Sequence, residues 1–223
     1  MSLRVLSLLE ARVLGVLIEK AHTVPDSYPL SLNSLTLGCN QKTARDPVLN
    51  ASEADVQGAA DALRSLSLVF ESSGSRVTRY EHNLGRALGL PSQSVALLAV
   101  LMLRGPQTGS ELRANSERLH RFADLSSVEA FLDELAERPQ EKGGPLVVKL
   151  PRAPGARESR WAQLLCGPVD TGALPAGESG SNDLVATSEL AALRSQQAAL
   201  QAELAALRER VDHLYKELGV SGG

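Results

Sequence analysis

Apolar residues keep helical spacing from the start of the chain. Leu6, Leu9, Val13, Val16 and Leu17 fall on one face, behind Ser7 and Glu10 as a capping box. After a polar turn punctuated by Pro25 and Pro29, Ser31 opens a short helix through Cys39 that carries Leu32, Leu35 and Leu37. The stretch NQKTARDPVLN reads as a loop, since Pro47 disfavours helix at Asp46. A third helix starts at Ser52, with Asp55 as capping partner and Val56, Ala59, Ala60, Leu63 and Leu66 in phase. Two short strands follow, LVFES and RVTRYE, separated by SGS.

The same order then begins again. Ser92 to Arg104 forms an apolar helix, Thr108 with Glu111 caps a short one, and Ser126 with Glu129 caps a third. PLVVKL, the loop PRAPGA and RESRWAQLL complete the unit. RVTRYEHNL and RESRWAQLL share one pattern: Arg, any residue, a hydroxyl, Arg, a large aromatic, then Leu four residues later. The spacing is constant, since 160 − 79 and 161 − 80 both give 81. Three helices closed by a hairpin is the winged-helix plan. The predicted fold is therefore mainly α with small β-hairpins: two tandem winged-helix domains, residues 1–88 and 89–166, plus a C-terminal coiled-coil helix. Residues 167–188, rich in Gly, Pro and Ser, read as a flexible linker. Residues 189–218 carry a heptad, with Leu190, Gln197, Leu204, Val211 and Leu218 at a and Leu193, Leu200, Leu207 and Leu214 at d.

The strings LEARVLGVLIEK, PLSLNSLTLGCNQKTARDPV, RVTRYE, LRGPQTGSELR and PGARESRWAQLL resemble the YceH family of bacterial proteins. That resemblance spans both units and implies two tandem winged-helix domains. It implies no established activity and brings no active-site residues with it.

Length and composition narrow the function classes. The 223 residues have room for two small domains, and with aromatics at 3% the cores must be built from Leu, Val and Ala. A net charge of −3 gives no global attraction for nucleic acid, so any such binding needs a local patch. The longest apolar run, Val95 to Leu103, is about half of the roughly 20 residues that cross a bilayer, and the N-terminus has no signal-peptide cleavage site. A cytoplasmic protein without membrane attachment is expected. Cys39 and Cys166 stand alone, without a CxxC, which writes neither a disulfide framework nor a metal site. No HExxH, phosphate loop, GxGxxG or GxSxG is present, and His22, His82, His120 and His213 are isolated in sequence. The expectation is a non-enzymatic protein with no cofactor.

Candidate chemistry is basic. If Tyr80 and Trp161 turn toward the cores, strand alternation puts Arg79 and Arg160 on the solvent side of each wing. Lys42 and Arg45 lie in the loop before the third helix, Arg113, Arg118 and Arg121 follow the fifth, and Arg76, Arg152 and Arg157 stand near the wings. Together they form a candidate phosphate-contacting set. Against it, the third helix carries Glu53, Asp55 and Asp61 with Arg64 alone, and its counterpart Glu129, Asp133, Glu134 and Glu137 with Arg138. Two partners therefore fit: duplex DNA held weakly by wings and loops of a dimeric regulator, or a protein that meets the acidic helices of a scaffold.

A lone helix cannot bury Leu190, Leu193, Leu200, Leu204, Leu207, Val211, Leu214 and Leu218, so a homodimer is expected, with Gln197 of two parallel chains meeting at one a layer. Replacing Leu204 and Leu207 together by Glu should give a monomer in light scattering with unchanged circular dichroism from the folded units. A wild-type chain that is already monomeric at the same concentration would refute it.

Overall fold

The computed structural model of the chain describes residues 3–72, 77–152 and 155–169. The expected linker and heptad helix lie outside the described residues. Helix α1 (Leu8–Thr23) starts where the sequence places it: the Ser7 hydroxyl accepts from the Glu10 amide at 3.1 Å and the Glu10 carboxylate accepts from the Ser7 amide at 2.8 Å. Strand β1 (Leu30–Ser31), α2 (Leu32–Cys39) and α3 (Glu53–Ser65) follow, then β2 (Val69–Ser72) and β3 (Arg79–His82). A short α4 (Leu84–Leu88) leads into α5 (Ser92–Arg104), and the order repeats as β4 (Gln107–Thr108), α6 (Gly109–Ser116), α7 (Leu125–Ala136), β5 (Val147–Lys149) and β6 (Arg160–Gln163).

Each repeat closes with a three-stranded antiparallel sheet whose central strand is its last, in the orders β1-β3-β2 and β4-β6-β5. Leu30 pairs with Tyr80 and Ser31 with Arg79; Gln107 pairs with Trp161 and Thr108 with Arg160. The two aromatics therefore occupy one position of a duplicated unit, and each is 2% exposed. The expected start of α7 is corrected: its cap is Asp124, whose carboxylate accepts from the Ser127 amide at 2.7 Å, two residues before Ser126. A carboxylate close to the helix N-terminus also interacts favourably with the helix dipole, which a serine does not.

The two repeats share one apolar core. Periodicity assigned α1 a single apolar face, yet every residue from Glu10 to Ile18 is buried, and α5 is buried from Ser94 to Leu103. The surplus burial arises because α1 packs on α2, α3 and β3 of its own repeat and on α5 of the other. Gly15 allows that approach: a Cβ there would sit 3.0 Å from Cγ of Leu103. Gly38 does the same between α2 and α1, where a Cβ would lie 2.6 Å from Cγ1 of Val16, well inside van der Waals contact.

The expected result for Gly38→Ala is a loss of about 1–3 kcal/mol in urea unfolding, because a β-branched core residue must move. Gly58 is the control. It stands inside α3 with nothing within 4 Å of a Cβ, so Gly58→Ala should stabilise by roughly 0.5–1 kcal/mol. Equal effects at the two positions would refute the packing account.

Candidate functional site

The repeated arginine first holds the fold. Arg79 Nη1 donates to the Pro29 carbonyl at 2.7 Å, and Arg160 Nη1 donates to the Pro106 carbonyl at 2.8 Å. In each case the central strand is tied to the proline that precedes the first strand of the same sheet. Arg160 also pairs with Glu111 at 3.2 Å, whereas the corresponding position near Arg79 is occupied by Ser34. Arg79 is consequently the more exposed of the two and has no carboxylate within ion-pair distance among the described residues. Arg76 lies outside the described residues.

Arg45 is withdrawn from the candidate phosphate set. Its side chain is fully buried, and its guanidinium donates to the Gly38 carbonyl at 3.1 Å, the Gln41 amide oxygen at 2.8 Å and both carboxylate oxygens of Glu19 at 2.6 and 3.2 Å. Burial alone would raise the Glu19 carboxyl, but Arg45 and Lys20, both bonded to it, together outweigh burial and hold that group below its ordinary range. Arg12, also fully buried, donates to the carbonyls of Cys39 at 3.1 Å and Pro47 at 2.6 Å. Asn40 and Ala51 exchange two bonds of 2.8 Å, and the Asp46 amide donates to Leu103. The loop is thus fastened to α1 and α5, and Lys42 is exposed at its tip between Gln41 and Thr43.

The second repeat is different. Arg113, Arg118, Arg121, Lys149, Arg152 and Arg157 are all exposed, and none pairs with a carboxylate among the described residues. Arg113 donates to the Ala123 carbonyl at 3.0 Å, which draws its guanidinium over the turn between α6 and α7. Ser110 on α6 donates to Glu158 at 3.2 Å, bringing the start of the β6 segment, with Arg157, against the same helix. Lys149 lies 5.1 Å from the Trp161 ring centroid, its ammonium over the π face. Between α6 and α7 opens a cleft of about 440 Å³ lined by Ser110, Arg113, Glu117, Arg121, Phe122 and Leu125. Sequence reading missed Lys149 and the cleft, because neither lies within one element. The one available signal was Phe122 between Arg121 and Asp124 in a chain with three phenylalanines.

A family model described as "Protein of unknown function, DUF480" matches residues 6–156. A UPF0502 protein of Burkholderia multivorans is 62% identical over 219 residues, covering 98% of this chain and 92% of the relative. UPF0502 proteins of Methylibium petroleiphilum and Leptothrix cholodnii are 65% and 62% identical over 220 residues, covering 98% of this chain and 92% and 97% of theirs. The chain belongs to this family of uncharacterised bacterial proteins. The DUF480 match runs from the residue before the α1 cap to the loop ahead of β6, so it includes the cleft between α6 and α7 and the first copy of the repeated motif, and stops just before Arg157, where the second copy begins. Among the described residues no helix is long and apolar enough to cross a membrane, and no group of His, Cys, Asp and Glu is placed to hold a metal ion.

Titratable groups in the first repeat are structural in character. Burial pushes the Cys39 thiol up to about 12 despite Arg12 and Arg45 nearby, which keeps it protonated and unreactive. His82 lies beside Tyr28, whose hydroxyl accepts from the His82 amide at 2.7 Å, and its buried Nδ1 has no partner among the described residues. Burial, aided by His22, lowers His82 to about 4. Between about 6.5 and 4 the unfolded chain therefore binds more protons than the folded one, so stability is complete above the upper value and falls as pH drops through this window. With allowance for partial exposure, the loss should be on the order of 2 kcal/mol. Urea unfolding at pH 7.5 and 4.5 should show it, and His82→Leu should remove most of the difference; an undiminished difference in that variant would assign the effect elsewhere.

Proposed function

We propose that this is a tandem winged-helix protein, dimerised by its C-terminal heptad segment, that associates with duplex DNA through phosphate contacts on its second repeat. The observation that carries this reading is the contrast in pairing: Arg113, Arg118, Arg121, Lys149, Arg152 and Arg157 face solvent without carboxylate partners among the described residues, although Arg160 beside them pairs with Glu111. In the first repeat Arg45 and Arg64 are engaged by Glu19, and by Asp61 and Glu71. Phosphate contacts supply affinity and orientation without base information.

Base readout is opposed by the helices that a winged-helix protein would present to a groove. Glu129, Asp133, Glu134 and Glu137 are exposed on and just after α7, as are Glu53 and Asp55 at the start of α3. A negative helix in the major groove is repelled by the backbone on both sides. The association is therefore weak, salt-sensitive and tolerant of sequence. The same exposed acids favour a second reading, a protein scaffold whose partner offers a basic surface.

Fluorescence anisotropy with a random duplex at about 20 to 150 mM salt separates the two. Retention at low salt is expected, and replacing Arg113, Arg118 and Arg157 by Ala should lower the slope of log K against log salt by about 2–3, roughly 0.9 for each phosphate no longer neutralised. A wild-type chain with no affinity at the lowest salt removes the DNA reading and leaves the scaffold.

A further inference from the structure

The cleft between α6 and α7 has the make-up of a ligand site. Its floor is apolar, formed by Ala114, Leu125 and Phe122, the last only 5% exposed. Phe122 is held on both sides: the His120 ring meets it edge-on at 4.7 Å between centroids, and Phe131 at 6.0 Å. The floor is thus preformed, in a chain where aromatics are only 3% of residues. The rim carries the guanidiniums of Arg113 and Arg121, with Glu117 and the Ser110 hydroxyl. Neither arginine forms an ion pair among the described residues. The nearest turn carboxylate, Asp124, is occupied by the amide and hydroxyl of Ser127 at 2.7 and 2.6 Å. Asp124 still carries its charge beside Arg113, and Glu158 accepts from Ser110, so the rim is of mixed sign, with Arg113 and Arg121 as its hydrogen-bond forks for an anion.

We propose that this cleft binds a small organic anion, a phosphate monoester or carboxylate with an aromatic or branched apolar body. The anionic end lies between Arg113 and Arg121, where each planar guanidinium can donate to two oxygens in parallel. The body rests on Phe122 and Leu125, and Glu117 accepts from a hydroxyl or ammonium on the ligand. About 440 Å³ suits such a molecule and falls within the usual range of small-ligand sites. The ligand would compete with duplex phosphates for Arg113, giving the protein an effector site on the face assigned to DNA. The inference goes beyond the DNA reading and does not need it.

The test is ligand-observed fluorine NMR of the full chain with 4-fluorophenyl phosphate, in the absence of nucleic acid. Line broadening that saturates is expected, with 4-fluorobenzyl alcohol silent and inorganic phosphate displacing the probe about tenfold more weakly than phenyl phosphate, since it lacks the apolar body. Arg113→Gln with Arg121→Gln should weaken binding about tenfold or more, with Arg121→Gln alone, which removes no hydrogen bond seen among the described residues, weakening it in the same direction at an unchanged melting temperature. No broadening at millimolar probe, or binding that survives the double variant, overturns the proposal. Equal displacement by inorganic phosphate overturns the ligand class. The duplex assay is separate, so failure of one leaves the other standing.

Discussion

The mutual burial of α1 and α5 organises this protein. Each helix is the first of a repeat and each would ordinarily bury one stripe, leaving the rest to solvent. Here each also buries its second side against the other, and the closeness of Gly15 to Leu103 lets the backbones approach. A single core then runs through both repeats, and the sheets and remaining helices are arranged around it. Small units with few aromatics gain most from this arrangement, since neither could remove much apolar surface from water alone.

Two buried arginines secure that junction. Arg12 and Arg45 enter a region where an isolated cation is strongly disfavoured, and they are tolerated because carbonyls of Gly38, Cys39 and Pro47 and the Glu19 carboxylate accept their hydrogen bonds. The loop from Asn40 to Ala51 is thereby moulded around fixed donors instead of running free over the surface. Its Asp46 amide reaches the last turn of α5, so the same loop that completes the first repeat also fastens the second.

Duplication preserved the scaffold and released the surfaces. Tyr80 and Trp161 fill equivalent positions, and Arg79 and Arg160 make the same bond to the proline before the first strand. Outside that shared frame the repeats diverge. In the first repeat Arg45 and Arg64 are bound by nearby acids, while in the second Arg113 and Arg121 face solvent beside an aromatic-floored cleft and Arg160 pairs with Glu111. That asymmetry separates the candidate site from the structural arginines, which composition alone treats alike.

Local sequence was sufficient for α1, α2, α3, α5 and α6, the caps at Ser7, Ser31, Ser52 and Thr108, and the repeat itself, because these follow from hydrogen bonds and periodicities within a few residues; it passed over α4 and began α7 two residues late. It also oriented Arg79 and Arg160 away from the buried aromatics, since alternation along a strand is local geometry. It misassigned Arg45, because the acceptors of that side chain come from α1 and the end of α2, and nothing in a polar loop announces that it folds inward. It was silent on the joining of the repeats through α1 and α5, and on the cleft, whose walls come from two helices and the turn between them. Those features are properties of surfaces brought together from distant positions, and only packing in three dimensions creates them.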